Sequence, residues 1–473
     1  MLPIHTRGST YYENYNLARN NLGVYSNFNI TAQYNFNINR QTLSNGLRNL
    51  LLQNPIFTVN YFKGDKSEAA KNLFDYTVKP SQTISFDDIV EYVPLDHPFN
   101  AENLQEINLR RFELSINKPI WKLLVHEFKD QQYLTFLCDH TIFDGNGACF
   151  FHDDLLKELS KLKDNTQLEE LDTIFDYEDD LHLLHALPET TLKLTSLYNL
   201  KYFFFNWVIL SEILPKFITN FVWKNVYDVD FDTYKVFTHK RVDIKSKICY
   251  RIINLSQDET KSIMTSLRSE KLTFTPYLLG IISEQLRVKV FPYISEEEKI
   301  ISASIVVDGR RYYPELHQQL KYNFAVSDAR VFVPPLLKLK EVIERSSKII
   351  KDAVTSRNGF QMVNMINYIN IWDFIQKRFG KYDRATFEIS NLGYKKFQTS
   401  DGSEITNLIF SQDVGLSGHF VFSVVGTPAG GINIVLCNLE ETEELKNAST
   451  YNKVMDEFVQ ALKASLIESI DTL

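Results

Sequence analysis

Cys138-Asp139-His140-Thr141-Ile142-Phe143-Asp144-Gly145-Asn146-Gly147 is the stretch around which the chain is organised. Upstream of it, residues 121–128 and 133–138 are rich in β-branched and aromatic residues and are joined by the polar turn Lys129-Asp130-Gln131, which predicts two strands. Downstream, Ala148, Phe151, Leu155, Leu159 and Leu162 recur at helical spacing. His140 therefore falls where a strand gives way to a loop, a usual place for a functional side chain on a rigid scaffold. An imidazole there can take a proton from an attacking hydroxyl or amine near neutral pH. Taken alone, a histidine at a strand end is more often packed or solvated. Three neighbours favour the catalytic reading. Asp144 can fold back to fix the loop or orient the ring. Gly145 and Gly147 permit positive φ or a close approach of backbone to a ligand. The start of the following helix supplies free N–H groups.

At 473 residues the chain exceeds one ordinary core, so two domains are expected. Hydrophobic residues make up 44% and charged residues 23%, the balance of a globular protein. The 34 Phe and 24 Tyr suit an aromatic-lined interior or tunnel, and a large core would use them equally well. A net charge of −8 argues against a nucleic-acid partner, which needs a basic field. Cys138, Cys149, Cys249 and Cys437 form no C-x-x-C pair, which fits a reducing compartment. Residues 1–7 have no apolar core or cleavage site, so no signal peptide is expected.

Along the chain, a helix is expected through Tyr15–Arg19, a strand over 24–34, a helix over 41–53 that stops at Asn54-Pro55, and a strand over 57–62. Residues 163–190 are acidic and broken. Their His182 and His185 lack the order of a zinc helix, so no metal is expected. Residues 197–223 are the most apolar part, but Lys201, Asn206, Glu212, Pro215, Lys216 and Asn220 interrupt them short of a membrane span. Three readings stay open for this segment: buried helices at the domain junction, a substrate-access element, or a surface-seeking monotopic segment. Next come a strand over 249–255 and a capping box, Ser256 with Glu259, opening a helix to about Arg268. Pro276 starts a further helix to about Val288. A strand over 299–307 ends at Asp308-Gly309-Arg310, residues 419–425 and 432–436 form a hairpin, and a helix over 451–470 closes the chain. Gly415-Leu416-Ser417-Gly418-His419 misses the hydrolase elbow, with His where the last glycine belongs.

His140-Thr141-Ile142-Phe143-Asp144-Gly145 resembles the H-x-x-x-D-G signature of the acyl-CoA-dependent acyltransferase superfamily, which holds chloramphenicol acetyltransferase, the plant BAHD enzymes and condensation domains. Asn117 to Leu124 and Ser390-Asn391-Leu392-Gly393 resemble elements of its fungal alcohol O-acetyltransferases, and Asp308-Gly309-Arg310 and Tyr322-Asn323-Phe324 resemble elements of the superfamily's second domain. The D-F-G-W-G signature of the plant branch is missing. The resemblance implies an α/β chain of α+β type, with two chloramphenicol-acetyltransferase-like domains, mixed sheets and an active-site tunnel between them. The expected division is 1–180 for the first domain, 181–245 for the crossover and apolar insertion, and 246–473 for the second. It implies acetyl-CoA as co-substrate, no bound cofactor, and transfer to a lipophilic alcohol with His140 as general base. It also implies that Arg310 pairs with Asp144 across the interface, so that Asp144 holds the loop without taking a proton. Ser390 or Asn391 would meet the oxyanion or the pantetheine arm; an ordinary turn at a strand end is the competing account of both. A long-chain, sphingoid-like amine is the alternative acceptor, and a non-catalytic binding protein of the same fold is the alternative of another class. A cytoplasmic monomer is expected, with peripheral contact at the endoplasmic reticulum or lipid droplets left open by 197–223.

Overall fold

A computed structural model describes residues 5–24, 27–64, 76–165, 167–237, 247–294, 298–378, 385–415, 418–439 and 448–472. The strands of its two larger sheets are, in chain order, β1 (Asn27–Tyr34), β2 (Val90–Pro94), β3 (Trp121–Phe128), β4 (Gln131–Asp139), β5 (Ile248–Leu255), β6 (Ile301–Asp308), β7 (Val326–Val333), β8 (Ala385–Tyr394), β9 (Ile405–Gln412), β10 (Gly418–Thr427) and β11 (Gly431–Leu439). The first sheet runs β9-β1-β4-β3-β2, antiparallel except for the parallel pair β2 and β3. The second runs β5-β11-β10-β8-β6-β7, with β8 parallel to both its neighbours. Two mixed sheets with helices on their faces are the expected α/β architecture.

Each sheet has its own core. Helix α1 (Tyr11–Asn21) precedes the first sheet. Helices α2 (Arg40–Gln53) and α3 (Gly145–Leu162) bury Leu43, Leu47, Leu50, Phe151, Leu155 and Leu159 against Ile30, Trp121 and Phe136. Fully burying each such side chain contributes roughly 1.5–3 kcal/mol. Phe136 and Phe151 stack with centroids 3.9 Å apart, and the Trp121 indole N–H donates to the Phe57 carbonyl at 2.7 Å, so its one polar atom is satisfied.

Between the two cores the chain passes through helices α4 (Tyr202–Ile213) and α5 (Lys216–Tyr227). In the second core, α6 (Gln257–Ser269) opens on the expected Ser256–Glu259 capping box. Helix α7 (Phe274–Gln285) buries Tyr277, Leu278, Ile281 and Ile282 beside Phe387, Ile389, Phe420 and Phe422. Helices α8 (Leu339–Ser356), α9 (Asn358–Asn364) and α10 (Ala448–Glu468) complete this half.

Three expectations need correction, and a fourth falls partly outside the described residues. Strand β9 lies in the part of the chain assigned to 246–473, yet it pairs along β1 in the first sheet, with Phe410 opposite Ile30 and Gln412 opposite Phe28. The sequence division therefore does not divide the sheets. The strand expected over 57–62 begins as a 3-10 turn, Pro55–Thr58, because Pro55 sits at its start, and the strand proper is Val59–Lys63. The start of the strand expected over 24–34 includes Tyr25 and Ser26, which lie outside the described residues. Most consequential, α4 and α5 are not buried at a domain junction. Only Leu197 and Tyr198 at their root join a core, while Phe203 is 85% and Phe217 73% exposed. No described helix is long and apolar enough to cross a membrane.

Candidate active site

Strand β4 ends at Asp139, whose buried carboxylate shapes the turn that follows. It accepts from the Thr141 N–H at 2.8 Å, the Thr141 hydroxyl at 2.5 Å and the Asn20 amide at 2.8 Å. The next backbone carbonyl, that of His140, accepts from Asn16 of α1 at 3.0 Å. Asp144 then caps α3 by accepting from the Gly147 N–H at 2.9 Å. A carboxylate only 1% exposed needs a charged partner, and Arg310 supplies it. Nη1 donates to Oδ2 and Nη2 to Oδ1, both at 2.9 Å, in the bidentate arrangement that suits guanidinium and carboxylate. The Ala325 N–H donates to Oδ2 at 3.1 Å. The acceptor sites of Asp144 are thus met by Arg310 and two backbone amides. Arg310 also donates to Asp308 at 3.0 Å and to the carbonyls of Leu320 and Asn323. Burial by itself would lower its pKa, but Asp144 and Asp308 outweigh that and hold it above its ordinary value.

The His140 ring is partly buried between Phe28 and Phe324, at centroid distances of 4.6 and 5.5 Å. Its Nδ1 lies 2.9 Å from the Phe143 carbonyl. A carbonyl only accepts, so Nδ1 carries the hydrogen and the lone pair belongs to Nε2. Loss of water around the ring, with the Arg19 charge adding to it, pushes the pKa down from 6.5 to about 4, against the pull of the Phe143 carbonyl and Asp144. At neutral pH the imidazole is uncharged and can accept a proton.

His140 faces a cavity of about 260 Å³ between the two sheets. Alternation along the strands builds its wall. Ala303, Ile305 and Val307 of β6 point into the second core, which turns Ser304, Val306 and Asp308 toward the cavity. The same alternation presents Val326, Asp328 and Arg330 from β7, and Glu388 and Ser390 from β8. Helix α1 contributes Tyr12 and Arg19, and β9 contributes Phe410 and Gln412. A second cavity of about 40 Å³, lined by Thr141, Ile142 and Thr191, shares Tyr12 and Phe324 with the first.

Of the residues singled out in sequence, His140, Asp144, Gly145, Ser390 and Asn391 line the larger cavity, and Arg310 lies behind Asp144. Of the two reasons expected for the glycines, positive φ does not apply to either. A Cβ on Gly145 would come within 2.7 Å of Leu392, so close approach is its reason. A Cβ on Gly147 would meet nothing nearer than 3.6 Å; its contribution is the N–H given to Asp144. The Asn391 amide donates to the Thr275 hydroxyl at 3.0 Å and accepts from the Gly393 N–H at 2.8 Å, where β8 bulges and Gly393 takes φ +79°. Ser390 is 6% exposed in the wall. Phe324 belongs to the Tyr322-Asn323-Phe324 element, whereas Arg19, Asp328 and Arg330 were not foreseen; the inward–outward alternation of β7 was the available signal for the last two. No group of His, Cys, Asp or Glu able to hold a metal occurs among the described residues. Leu416 and Ser417 of the near-miss elbow lie outside the described residues, and His419 is buried with Nε2 2.8 Å from the Tyr451 hydroxyl.

Two mixed sheets enclosing a histidine-bearing cavity define a two-lobed acyl-transfer fold. Trichothecene 15-O-acetyltransferase TRI3 from Fusarium sporotrichioides matches it with a TM-score of 0.63 at 12% identity, over 97% of this chain and 95% of its own. The condensation domain of the Monacolin K polyketide synthase MokA gives 0.61 at 11% identity over 99% of each chain. The sequence profile of the alcohol acetyltransferase family matches residues 10–466, and the chain belongs to that family. Alcohol O-acetyltransferase 1 of Saccharomyces cerevisiae is 27% identical over 384 residues, covering 74% of this chain and 68% of its own. N-acetyltransferase SLI1 of the same yeast is 22% identical over 468 residues, covering 89% and 92%. The protein is an acyltransferase.

Proposed function

We propose that the protein moves an acetyl group from acetyl-CoA to the hydroxyl of a lipophilic alcohol by direct transfer, with His140 as general base. The observation that carries this is the neutral imidazole on the cavity wall, its Nδ1 hydrogen given to the Phe143 carbonyl so that Nε2 is the basic nitrogen. Nε2 takes the hydroxyl proton as the alcohol oxygen bonds to the thioester carbonyl carbon. The tetrahedral oxyanion is met by the Ser390 hydroxyl. When the C–S bond breaks, the imidazolium returns the proton to the departing thiolate of CoA. No acyl-enzyme is required, because both substrates are held together. The nearby cysteines fit that absence: burial holds the Cys138 thiol well above its ordinary pKa and pushes Cys149 up to about 11, so neither supplies a thiolate. Asp144 and Arg310 position the loop. Family membership supports the acyl-CoA donor, and the printed name of the yeast O-acetyltransferase supports the alcohol.

A long-chain amine is the second reading. Asp328 and Glu388 on the cavity wall suit the approach of an ammonium group, and one relative is named as an N-acetyltransferase. Thiol release from acetyl-CoA separates the two, with medium- and long-chain alcohols and long-chain amines as acceptors. His140→Ala should lower acceptor-dependent release by about 10²–10⁴-fold while the melting curve is kept. Turnover within a few fold of wild type would remove His140 from the chemistry.

A further inference from the structure

Helices α4 and α5, joined at Leu214-Pro215, bury none of their described side chains. Tyr202, Phe203, Ile213, Phe217 and Phe221 are each 68–85% exposed. Single exposed apolar residues are ordinary, but an aromatic surface continuous over two helices marks a binding face. Apolar residues surround α4 on all sides, so no single face of it belongs on a protein core. Helix α5 has a polar stripe, Lys216, Asn220 and Lys224, with Asn220 and Lys224 tied back to Asp232 and Asp230 at 2.9 and 3.0 Å. At 12 residues each, the helices are about 18 Å long, too short to cross a hydrocarbon core of about 30 Å.

Charge selects the partner. Between 201 and 227 the sequence holds Lys201, Lys216 and Lys224 against Glu212; Lys224 is held by Asp230, and Asp228 and Asp232 lie just beyond α5, so the cations left to face a partner are Lys201 and Lys216. Lys201 and Lys216 are exposed and form no ion pair among the described residues. An aromatic hairpin flanked by the exposed Lys201 and Lys216 is complementary to a lipid interface with anionic headgroups.

The hairpin also adjoins the cavity. The Lys201 N–H donates to Gln361 at 3.1 Å, Asn364 donates to the Tyr198 carbonyl at 2.6 Å, and Phe205 meets Tyr368 at 5.1 Å between centroids. This segment carries Val363 and Ile366 in the cavity wall and exposes Met362, Tyr368 and Ile369. We infer that α4 and α5 form a monotopic docking element that seats the protein on an anionic lipid bilayer, with residues 362–369 placing the cavity wall against the lipid. Docking stands on the exposed surface alone; delivery of acceptor from the bilayer rests on the lipophilic acceptor proposed above.

The test is flotation of the full chain with vesicles of phosphatidylcholine, with and without phosphatidylserine. The protein should float with both and more strongly with phosphatidylserine. Phe203→Glu with Phe217→Glu should lower the partition coefficient by about a hundredfold, roughly tenfold per lost aromatic insertion. Lys201→Gln with Lys216→Gln should cancel the preference for phosphatidylserine. Melting temperature and turnover of a short, water-soluble alcohol should stay unchanged in both variants. No flotation with either vesicle overturns the inference, as does undiminished flotation of the double glutamate variant. A dimer in sedimentation equilibrium that the glutamates dissociate also overturns it, since a second copy would then cover the face. Flotation needs no turnover, so a protein that floats but transfers no acetyl group fails only the proposed activity.

Discussion

Asp144→Asn tests what holds the His140 loop. The carboxylate accepts two hydrogen bonds from Arg310 at 2.9 Å, one from the Gly147 N–H at 2.9 Å and one from the Ala325 N–H at 3.1 Å, at 1% exposure. An amide in its place keeps one acceptor oxygen and turns an NH₂ toward donors. Removing one partner of a buried ion pair costs about 3–5 kcal/mol. Asp308, 3.0 Å from Arg310 Nη1, retains part of the compensation, which puts the expected loss near the lower end, about 3 kcal/mol. Arg310→Met should cost about as much, because Asp144 then keeps only its two backbone donors. In the double variant neither charge is stranded, so its loss should resemble that of either single one, a coupling energy of about 2–3 kcal/mol. Urea unfolding followed by tryptophan fluorescence measures the three losses, and thiol release from acetyl-CoA measures turnover in the same samples. Each single variant should lose about 10²-fold in turnover through misplacement of His140. Additivity within about 0.5 kcal/mol would refute the argument, because the ion pair would then not be what fixes the loop.

Acid should remove activity late and stability early. On the proposed mechanism turnover needs neutral His140, whose pKa is lowered to about 4, so the acidic limb of kcat/KM should lie well below pH 6.5; a limb at 6.5 or above would show a solvated ring. Burial also lowers His126 and His152 to about 4. As pH falls through 6.5 the unfolded chain binds these protons first, so folding stability should be full above about 6.5 and decline toward 4, measured as a falling melting temperature; a rise on acidification would contradict the burial of these rings. Gly145→Ala should cost about 1–3 kcal/mol in melts and reduce turnover, because its Cβ meets Leu392 at 2.7 Å, whereas Gly147→Ala finds room and should be neutral or slightly stabilising. Equal effects from the two alanines would undo that distinction.

The His140 loop was legible because its determinants are local. Two alternating strands, an aspartate at a helix start and apolar residues at helical spacing lie within one stretch of chain. The Arg310 pairing was not legible from spacing, since 166 residues separate the partners; it entered through resemblance to a family motif. Strand β7 escaped for another reason. Its inward positions begin with Ser327 and Ala329, too small to show as a hydrophobic stripe, although the alternation with Val326, Asp328 and Arg330 is regular. The reason for the glycines stayed open because a sequence shows that a residue lacks a Cβ but not whether a side chain such as Leu392 fills the space.

Strand β9 was the hardest element to foresee, and it matters most for the site. Its sequence, Ile405 to Gln412, holds one short apolar run at Leu408, Ile409 and Phe410, and nothing near it indicates that its partner is β1, nearly the whole chain away. Once there, it is held from both sides. Hydrogen bonds to β1 fix it in the first sheet, while Thr427 and Asn433 of the second sheet donate to the carbonyls of Thr406 and Leu408 at 2.6 and 2.7 Å. Phe410 and Gln412 on this strand line the cavity, and the Phe410 ring bounds the space over Gly145. The sheets are thus joined twice around the same histidine, by the side-chain hydrogen bonds from the second sheet to β9 on one side and by the Asp144–Arg310 pair on the other. A motion that parted the lobes would have to break the hydrogen bonds of Thr427 and Asn433 to β9 and also strand a buried charge, at a cost of several kcal/mol. The sheets around His140 therefore form a fixed frame, and the α9 wall beside the exposed α4–α5 hairpin is a part of the cavity lining that lies outside both sheets.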